Sequence, residues 1–175
     1  MDVQAVVSSS NLVRVRELRL DNSRLRSENA RLRDENAMLN SHLDLAITAA
    51  LELAQLKEDA KLVFIDGWNM ILGSPKRALN KEDLLNQAQE HISSNPDDLV
   101  WIVYDGPRAS CTAHGRVRVS YTGGEGPHRA DRFVCDFLRM ARLRGDLSKI
   151  RVMTNDIDFK REVERICANA TGCWK

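Results

Sequence analysis

The stretch KLVFIDG, residues 61–67, decides the fold, because four consecutive apolar residues end in an aspartate and a glycine. A short apolar run bounded by turn residues is typical of a strand that is buried on both faces of a parallel sheet. A second apolar run that ends in an acid is LVWIVYD, residues 99–105. IRVMTND, residues 150–156, predicts another strand that ends in an acid. RVRVSYT, residues 116–122, alternates more strictly and therefore predicts a half-exposed or edge strand.

Amphipathic segments separate and follow these strands. LNKEDLLNQAQEHISS, residues 79–94, predicts a helix, as do RADRFVCDFLRMARLRG, residues 129–145, and DFKREVERICANA, residues 158–170. TGCWK, residues 171–175, adds at most a short edge strand. Strands that alternate with helices indicate an α/β domain with a parallel sheet in three layers over residues 61–175.

Leucines recur every seven residues before this domain, which is typical of a coiled coil. With leucine at the d positions, asparagine falls at the a positions, and such asparagines pair across the axis of a parallel dimer. Asp21 and Glu28 at g then face Arg26 and Arg33 at e on the partner helix. The pattern predicts a parallel homodimer through a helix over residues 12–58. Its seam contains Leu18, Asn22, Leu25, Asn29, Leu32, Asn36 and Leu39.

The leucine repeat has two alternative interpretations. A long solvated helix that folds back on its own domain would not need leucine and asparagine in register, nor complementary charges at e and g. A DNA-binding zipper factor needs a basic region of about 20 residues before the leucines. The segment that precedes Leu18 here is short and not basic, so the repeat does not predict DNA binding.

Composition narrows the class of protein. The net charge is only +1, so contacts to phosphate would have to come from local patches. No apolar stretch reaches the length of about 18 residues needed for a membrane span. Four cysteines without a C-x-x-C pair predict free thiols in a reducing, cytoplasmic setting. Aromatic residues make up 5%, which does not favour nucleic-acid binding by stacking of bases on aromatic rings.

Aspartates follow the predicted strands at the same edge of the sheet. Asp66, Asp105 and Asp156 end three strands, and Asp131 begins the helix after a glycine-rich loop. In an open α/β sheet, sites form beyond the carboxyl ends of the strands. Carboxylates brought together there repel one another unless a cation neutralises them, and oxygen ligands suit Mg²⁺ or Mn²⁺. The four aspartates therefore predict a metal site, with Asn69 positioned to orient a water or a phosphate oxygen.

Four motifs in this order resemble the NYN-type PIN-like nuclease domains of the YacP-like group. They are FIDGWNMI, residues 64–71, IVYDGP, residues 102–107, YTGGEGPHRAD, residues 121–131, and VMTND, residues 152–156. The resemblance covers roughly residues 61–170. It implies a parallel sheet between two layers of helices and cleavage of RNA with Mg²⁺ or Mn²⁺.

The resemblance also implies roles for single residues. Asp66 and Asn69 match the first motif of that family, and Asp105 matches the second. Asp131 matches its alanine-aspartate helix start, and Asp156 its fourth strand end. These five residues are the predicted catalytic set, and the four aspartates among them are the predicted metal ligands.

Taken together, the motifs predict metal-assisted hydrolysis of an RNA phosphodiester by a zipper dimer. The residues expected to contact phosphate are Arg108, Arg116, Arg118, Arg129 and Arg132. One alternative is a non-catalytic PIN-like module that binds RNA or protein and assembles through the coiled coil. Another is a phosphotransfer domain with Asp66 as the nucleophile. That chemistry usually needs a second aspartate two residues later, where this chain has Trp68.

Overall fold

The computed structural model describes residues 3–73, 79–124 and 126–168, without the side chains of residues 3–10 and 38. Its contacts divide the chain into two units, with the division after Ala37. The predicted edge strand at residues 171–175 lies outside the described residues. In the described part of the chain, no helix has both the length and the apolar character that a membrane span requires.

Helix α1, Val3–Gln55, contains the predicted zipper. The leucines at its d positions are exposed. Leu18, Leu25, Leu32 and Leu39 are between 43% and 59% exposed. A single chain therefore leaves the predicted seam open to solvent.

The second unit contains a largely parallel sheet, so the predicted α/β class is confirmed. Among the described residues, five strands lie in the order β3-β4-β2-β1-β5, and only β3 is antiparallel to its neighbour. The strands are β1 (Leu62–Asp66), β2 (Leu99–Tyr104), β3 (Ala109–His114), β4 (Val117–Thr122) and β5 (Ile150–Met153).

Strand β3 was not predicted, and it changes the position of its neighbour. All six of its residues are exposed, and they are small or polar, so they give no hydrophobic pattern. A turn at Gly115, with φ of 63°, joins β3 to β4 in a hairpin. Strand β4 consequently lies between β3 and β2, so of the two predicted alternatives the edge strand is wrong. The half-exposed strand agrees with its mixture of buried and partly exposed residues.

Helices cover both faces of the sheet. In β1, Leu62 and Phe64 point to one apolar cluster, and Val63 and Ile65 point to a second one on the opposite face. The helices after α1 are α2 (Gly67–Leu72), α3 (Lys81–Ser94), α4 (Arg129–Arg144) and α5 (Ile157–Cys167). The first cluster includes residues of α1, α4 and α5, and the second includes residues of α2 and α3. This arrangement has the three layers that the sequence predicts.

The last turns of α1 belong to the core of the α/β unit. Leu45, Ala49 and Leu53 lie on one face of the helix at intervals of four residues and are at most 6% exposed. Glu52 on this segment accepts a hydrogen bond of 2.5 Å from Nη2 of Arg118 on β4. These contacts join the end of the predicted coiled-coil segment 12–58 to the core of the domain predicted from residue 61. A heptad pattern cannot distinguish a partner helix from the chain's own sheet.

Candidate metal centre

Asp66 ends β1 and caps α2, and two neighbours fix its carboxylate. Its Oδ1 accepts from the amide of Asn69 at 3.3 Å, and its Oδ2 accepts from Nδ2 of Asn69 at 2.5 Å. Oγ1 of Thr154, beyond β5, donates to the same Oδ2 at 2.9 Å. Asp66 is only 4% exposed. Asn69 therefore acts as a positioning partner of Asp66, and Thr154 is a second one that the sequence did not indicate.

Asp105 follows β2 and joins that strand to the start of α4. Its Oδ1 accepts from the amide of Ala130 at 2.7 Å, in the first turn of α4. Oγ1 of Thr122, the last residue of β4, lies 3.5 Å from the same oxygen. Asp105 thus sets the position of the helix that presents Asp131.

Three side chains at this edge come close enough to share a metal ion. One ligand atom each of His128, Asp131 and Asp156 lies within 4.8 Å of the other two, and these three residues are called the metal group below. Asp156 caps α5, because its Oδ1 accepts from the amides of Asp158 and Phe159 at 2.8 and 3.0 Å. The group confirms that Asp131 and Asp156 are neighbours but does not include Asp66 or Asp105.

His128 is the member that sequence reasoning missed. It precedes α4 with φ of 60°, a left-handed conformation that non-glycine residues adopt infrequently. This backbone brings its Nδ1 to within 3.0 Å of Oδ2 of Asp131. The signal was a histidine three residues before Asp131 in the glycine-rich loop. An irregular backbone conformation of this kind is not visible in a hydrophobic pattern.

The charges of the predicted aspartates affect the pKa values of Asp131 and His128. Burial raises the pKa of Asp131, the hydrogen bond from His128 partly offsets this, and the charges of Asp66 and Asp156 raise the pKa further. The hydrogen bond to Asp131 raises the pKa of His128, and the charges of Asp156 and Asp105 add to this increase. A region where carboxylates oppose one another's ionisation is one that a cation stabilises.

The donor set discriminates among metals. Two carboxylates suit Mg²⁺ and Mn²⁺, whereas an imidazole nitrogen is a poor ligand for Mg²⁺ and an acceptable one for Mn²⁺ or Zn²⁺. The residues therefore fit a divalent ion, and His128 favours Mn²⁺ over Mg²⁺ within the predicted pair.

A groove of about 400 Å³ extends from the metal group between α4 and α5. Arg132 and Arg139 line it together with Asp158 and Glu162. Arg139 is bound to Glu162 and to Asp136, each at 2.6 Å. Of the predicted phosphate-binding arginines, Arg132 is the one that lines this groove.

Two of the predicted arginines lie elsewhere, which corrects that part of the expectation. Arg116 precedes β4 and donates to the carbonyls of Asp97 and Asp98, at the amino edge of the parallel strands. Arg118 is bound to Glu52 and to the carbonyl of Gly115. Both guanidinium groups are used by the fold, away from the aspartates at the carboxyl edge.

Arg108 and Arg129 differ in their exposure. Arg108 is exposed just beyond β2. Arg129 is 5% exposed, and its Nη2 donates to the carbonyl of Gly106 at 3.2 Å. Its Nε and Nη1 are buried without a partner among the described residues. Arg108 is accessible to a phosphate, whereas Arg129 is enclosed at the start of α4.

Comparisons of this chain with protein-family models, with curated proteins and with solved structures find no match.

Proposed function

We propose that this protein is a metal-dependent ribonuclease that hydrolyses phosphodiester bonds at the carboxyl edge of its sheet. The observation that supports the proposal most is the metal group, in which His128, Asp131 and Asp156 offer ligand atoms within 4.8 Å of one another. Asp66 contributes its charge to the same region. The resemblance of the motifs around these residues to PIN-like nucleases supports RNA as the substrate.

The chain's own groups can prepare this site for hydrolysis. When bound, a divalent ion lowers the pKa of a bound water and offsets negative charge on a phosphate. Asn69 and Thr154 hold the carboxylate of Asp66 in one orientation. Arg132, at the wall of the groove, is available to pair with a phosphate oxygen.

The proposal includes a parallel homodimer through the zipper. The exposed leucines Leu18, Leu25 and Leu32 need a partner surface, because a regular stripe of apolar side chains on a soluble helix is unfavourable when it faces water. The asparagines at the a positions and the opposite charges at e and g select a parallel copy of the same helix. A dimer presents two sites to one RNA strand and so raises the effective concentration for the second contact.

Cleavage of labelled single-stranded RNA in Mn²⁺ tests the nuclease proposal. The wild type is expected to cleave, and D131N and D66N are expected to lose roughly 10- to 100-fold or more of the rate. D136N is the matched control, because Asp136 is on the same helix as Asp131 but is exposed and paired with Arg139. Equal cleavage by all four proteins, or cleavage by none, would contradict the proposal. RNA binding without cleavage would favour the non-catalytic module.

A further inference from the structure

A second group of side chains surrounds the ammonium of Lys81 at the same edge of the sheet. Nζ of Lys81 lies 4.5 Å from the ring centroid of Trp68, 5.1 Å from that of Tyr104 and 4.9 Å from that of Tyr121. It also donates to Oη of Tyr121 at 2.9 Å. The three rings, called the aromatic group below, include both tyrosines of the chain. Aromatic residues are few in this protein, but the fold concentrates them here.

The aromatic group is attached directly to the aspartate motifs. Trp68 follows Asp66 by two residues, and its Nε1 donates to the carbonyl of Asp105 at 2.9 Å. Tyr104 immediately precedes Asp105, and its ring stacks on that of Tyr121 with centroids 5.3 Å apart. The position of the Trp68 indole is therefore fixed relative to both strand ends of the candidate site.

The glycines of both D-G motifs make room for these rings. A Cβ atom at Gly67 would overlap the ring of Tyr104, and one at Gly106 would lie 2.7 Å from Cδ1 of Tyr121. Neither glycine has a positive φ, so chain conformation does not explain them. The close approach of the tyrosines explains both.

The exposure of the rings determines what they can bind. Tyr104 is 1% exposed and cannot contact a ligand face to face, whereas Trp68 is 36% exposed. An external cation would have to displace Lys81, which already lies over all three rings. A planar base can instead stack on the accessible part of the indole, and the ammonium beside it can pair with the phosphate of the same nucleotide.

We propose that Trp68 stacks an unpaired base of a single-stranded RNA and that Lys81 binds the adjacent phosphate, next to the aspartates of the candidate site. This inference rests on the proposed function for the choice of RNA as the ligand. It predicts a preference for single strands, because the bases of a duplex are already stacked on one another. Trp68 is the residue that determines this preference, and Lys81 adds affinity for the phosphate.

Fluorescence anisotropy of a labelled oligouridine in the presence of EDTA measures the binding without cleavage. W68L and W68F both remove the indole N–H that donates to the carbonyl of Asp105. Only W68F keeps an aromatic ring, so a difference in binding between the two variants measures the effect of the ring. W68L is expected to weaken binding roughly 5- to 150-fold, and W68F is expected to bind like the wild type. L72A is the matched control, since Leu72 is 78% exposed on the same short helix. Circular dichroism of each variant checks that the fold is retained.

The salt dependence of binding and the binding of a duplex test the roles of Lys81 and Trp68 further. K81Q is expected to reduce the slope of log affinity against log salt by about 0.7, the value for one phosphate contact on a single strand. A duplex of the same length is expected to bind more weakly and to be insensitive to W68L. Equal binding by W68L and the wild type, no binding by the wild type, or equal loss in W68L and W68F would overturn the inference.

The outcomes separate this inference from the nuclease proposal. If W68L weakens binding in EDTA and W68F does not, but no protein cleaves RNA in Mn²⁺, the nuclease proposal fails and the base-binding site stands. If the wild type cleaves RNA and W68L binds as tightly as the wild type, the base-binding site fails and the nuclease proposal stands.

Discussion

Nδ1 of His128 lies 3.0 Å from Oδ2 of Asp131, and this contact raises the pKa of the imidazole above its ordinary value of 6.5. The same two residues belong to the metal group. Histidine binds a metal only as the neutral imidazole, so a proton on His128 competes directly with the ion.

Mn²⁺ affinity is therefore expected to fall as the pH decreases through the neutral range. Each proton released on binding contributes up to about tenfold per pH unit. The raised pKa of His128 places the start of this loss at a higher pH than for an unperturbed histidine. Isothermal titration with Mn²⁺ between about pH 5 and 8 measures the effect. H128N is expected to bind more weakly and to lose the pH dependence near neutrality; an unchanged profile in that variant would remove His128 from the site.

D131N is expected to stabilise the metal-free protein at neutral pH. The pKa of Asp131 is raised, so its contribution to stability is fully present below the ordinary value of 3.8 and is lost as the pH rises through the folded-state pKa. Removing the charge relieves the cost of burying it and the repulsion from Asp66 and Asp156. The gain is on the order of 1 kcal/mol, which corresponds to roughly 2–4 °C in Tm for a chain of this size.

Thermal unfolding in EDTA and in Mn²⁺ compares the Tm of the wild type and of D131N without and with metal. The wild type is expected to gain stability from Mn²⁺ and D131N is not, because ligand binding to the folded state alone raises Tm. D136N is expected to behave like the wild type in both conditions. A D131N protein that is less stable than the wild type without metal would show that Asp131 stabilises the fold.

E52A is expected to destabilise the α/β unit by about 1.5–3 kcal/mol, because it removes a hydrogen-bonded partner from a half-buried charge. Glu52 and Arg118 have side chains that are 26% and 17% exposed, so water replaces the lost contact poorly. The control is K57A, which removes the pair of Lys57 with Asp97, where the side chains are 75% and 52% exposed. That exposed pair is expected to contribute about 0–1 kcal/mol. Urea unfolding of both variants compares them, and equal effects would contradict the assignment of Arg118 to the fold.

G67A is expected to lose about 1–3 kcal/mol of stability, because an added Cβ overlaps the Tyr104 ring in a packed site. G115A is the comparison, since a Cβ at Gly115 meets nothing within 4 Å and only its φ of 63° opposes the change. Urea unfolding measures both. If the loss of stability caused by G67A is the same in a Y104F background and smaller in a Y104A background, the overlap with the ring is the cause and the hydroxyl is not. A G67A protein as stable as the wild type would contradict the packing argument.

The double variant L25A/L32A is expected to convert the proposed dimer to a monomer, because it removes two apolar contacts from the seam of each chain. Light scattering after size-exclusion chromatography measures the mass. L143A is the control, as Leu143 is 90% exposed on α4 and lies outside the zipper. A wild-type protein that elutes as a monomer would contradict the predicted pairing.

Sequence patterns were sufficient for the parts of the fold that depend on continuous apolar runs. The strands that contain Phe64 and Trp101 were located correctly because their buried residues form unbroken segments. The strand that contains Val152 was located as well, although its buried and partly exposed residues alternate. Strand β3 was missed since its exposed residues have no such pattern, and its presence moved β4 to the interior of the sheet.

The site was predictable in part, for a related reason. Aspartates at strand ends follow from the topology, which places the ends of parallel strands at one edge. His128 depends on a left-handed backbone, and Thr154 depends on a contact across 88 positions of sequence. The aromatic group combines Trp68, Tyr104 and Tyr121 from three segments, so a low overall aromatic content concealed it.

The buried end of α1 has a consequence for how this protein could have arisen. Burial of Leu45, Leu53 and Leu56 contributes about 1.5–3 kcal/mol each to the stability of the α/β unit. A chain that is cut at residue 60 lacks these contributions, so the α/β unit is expected to unfold without them. Recombination that exchanged the predicted zipper for another segment would therefore have to join the genes upstream of Met38, within a continuous helix. Residues 45–56 are thus inherited together with the α/β unit, across the boundary that the sequence pattern suggests.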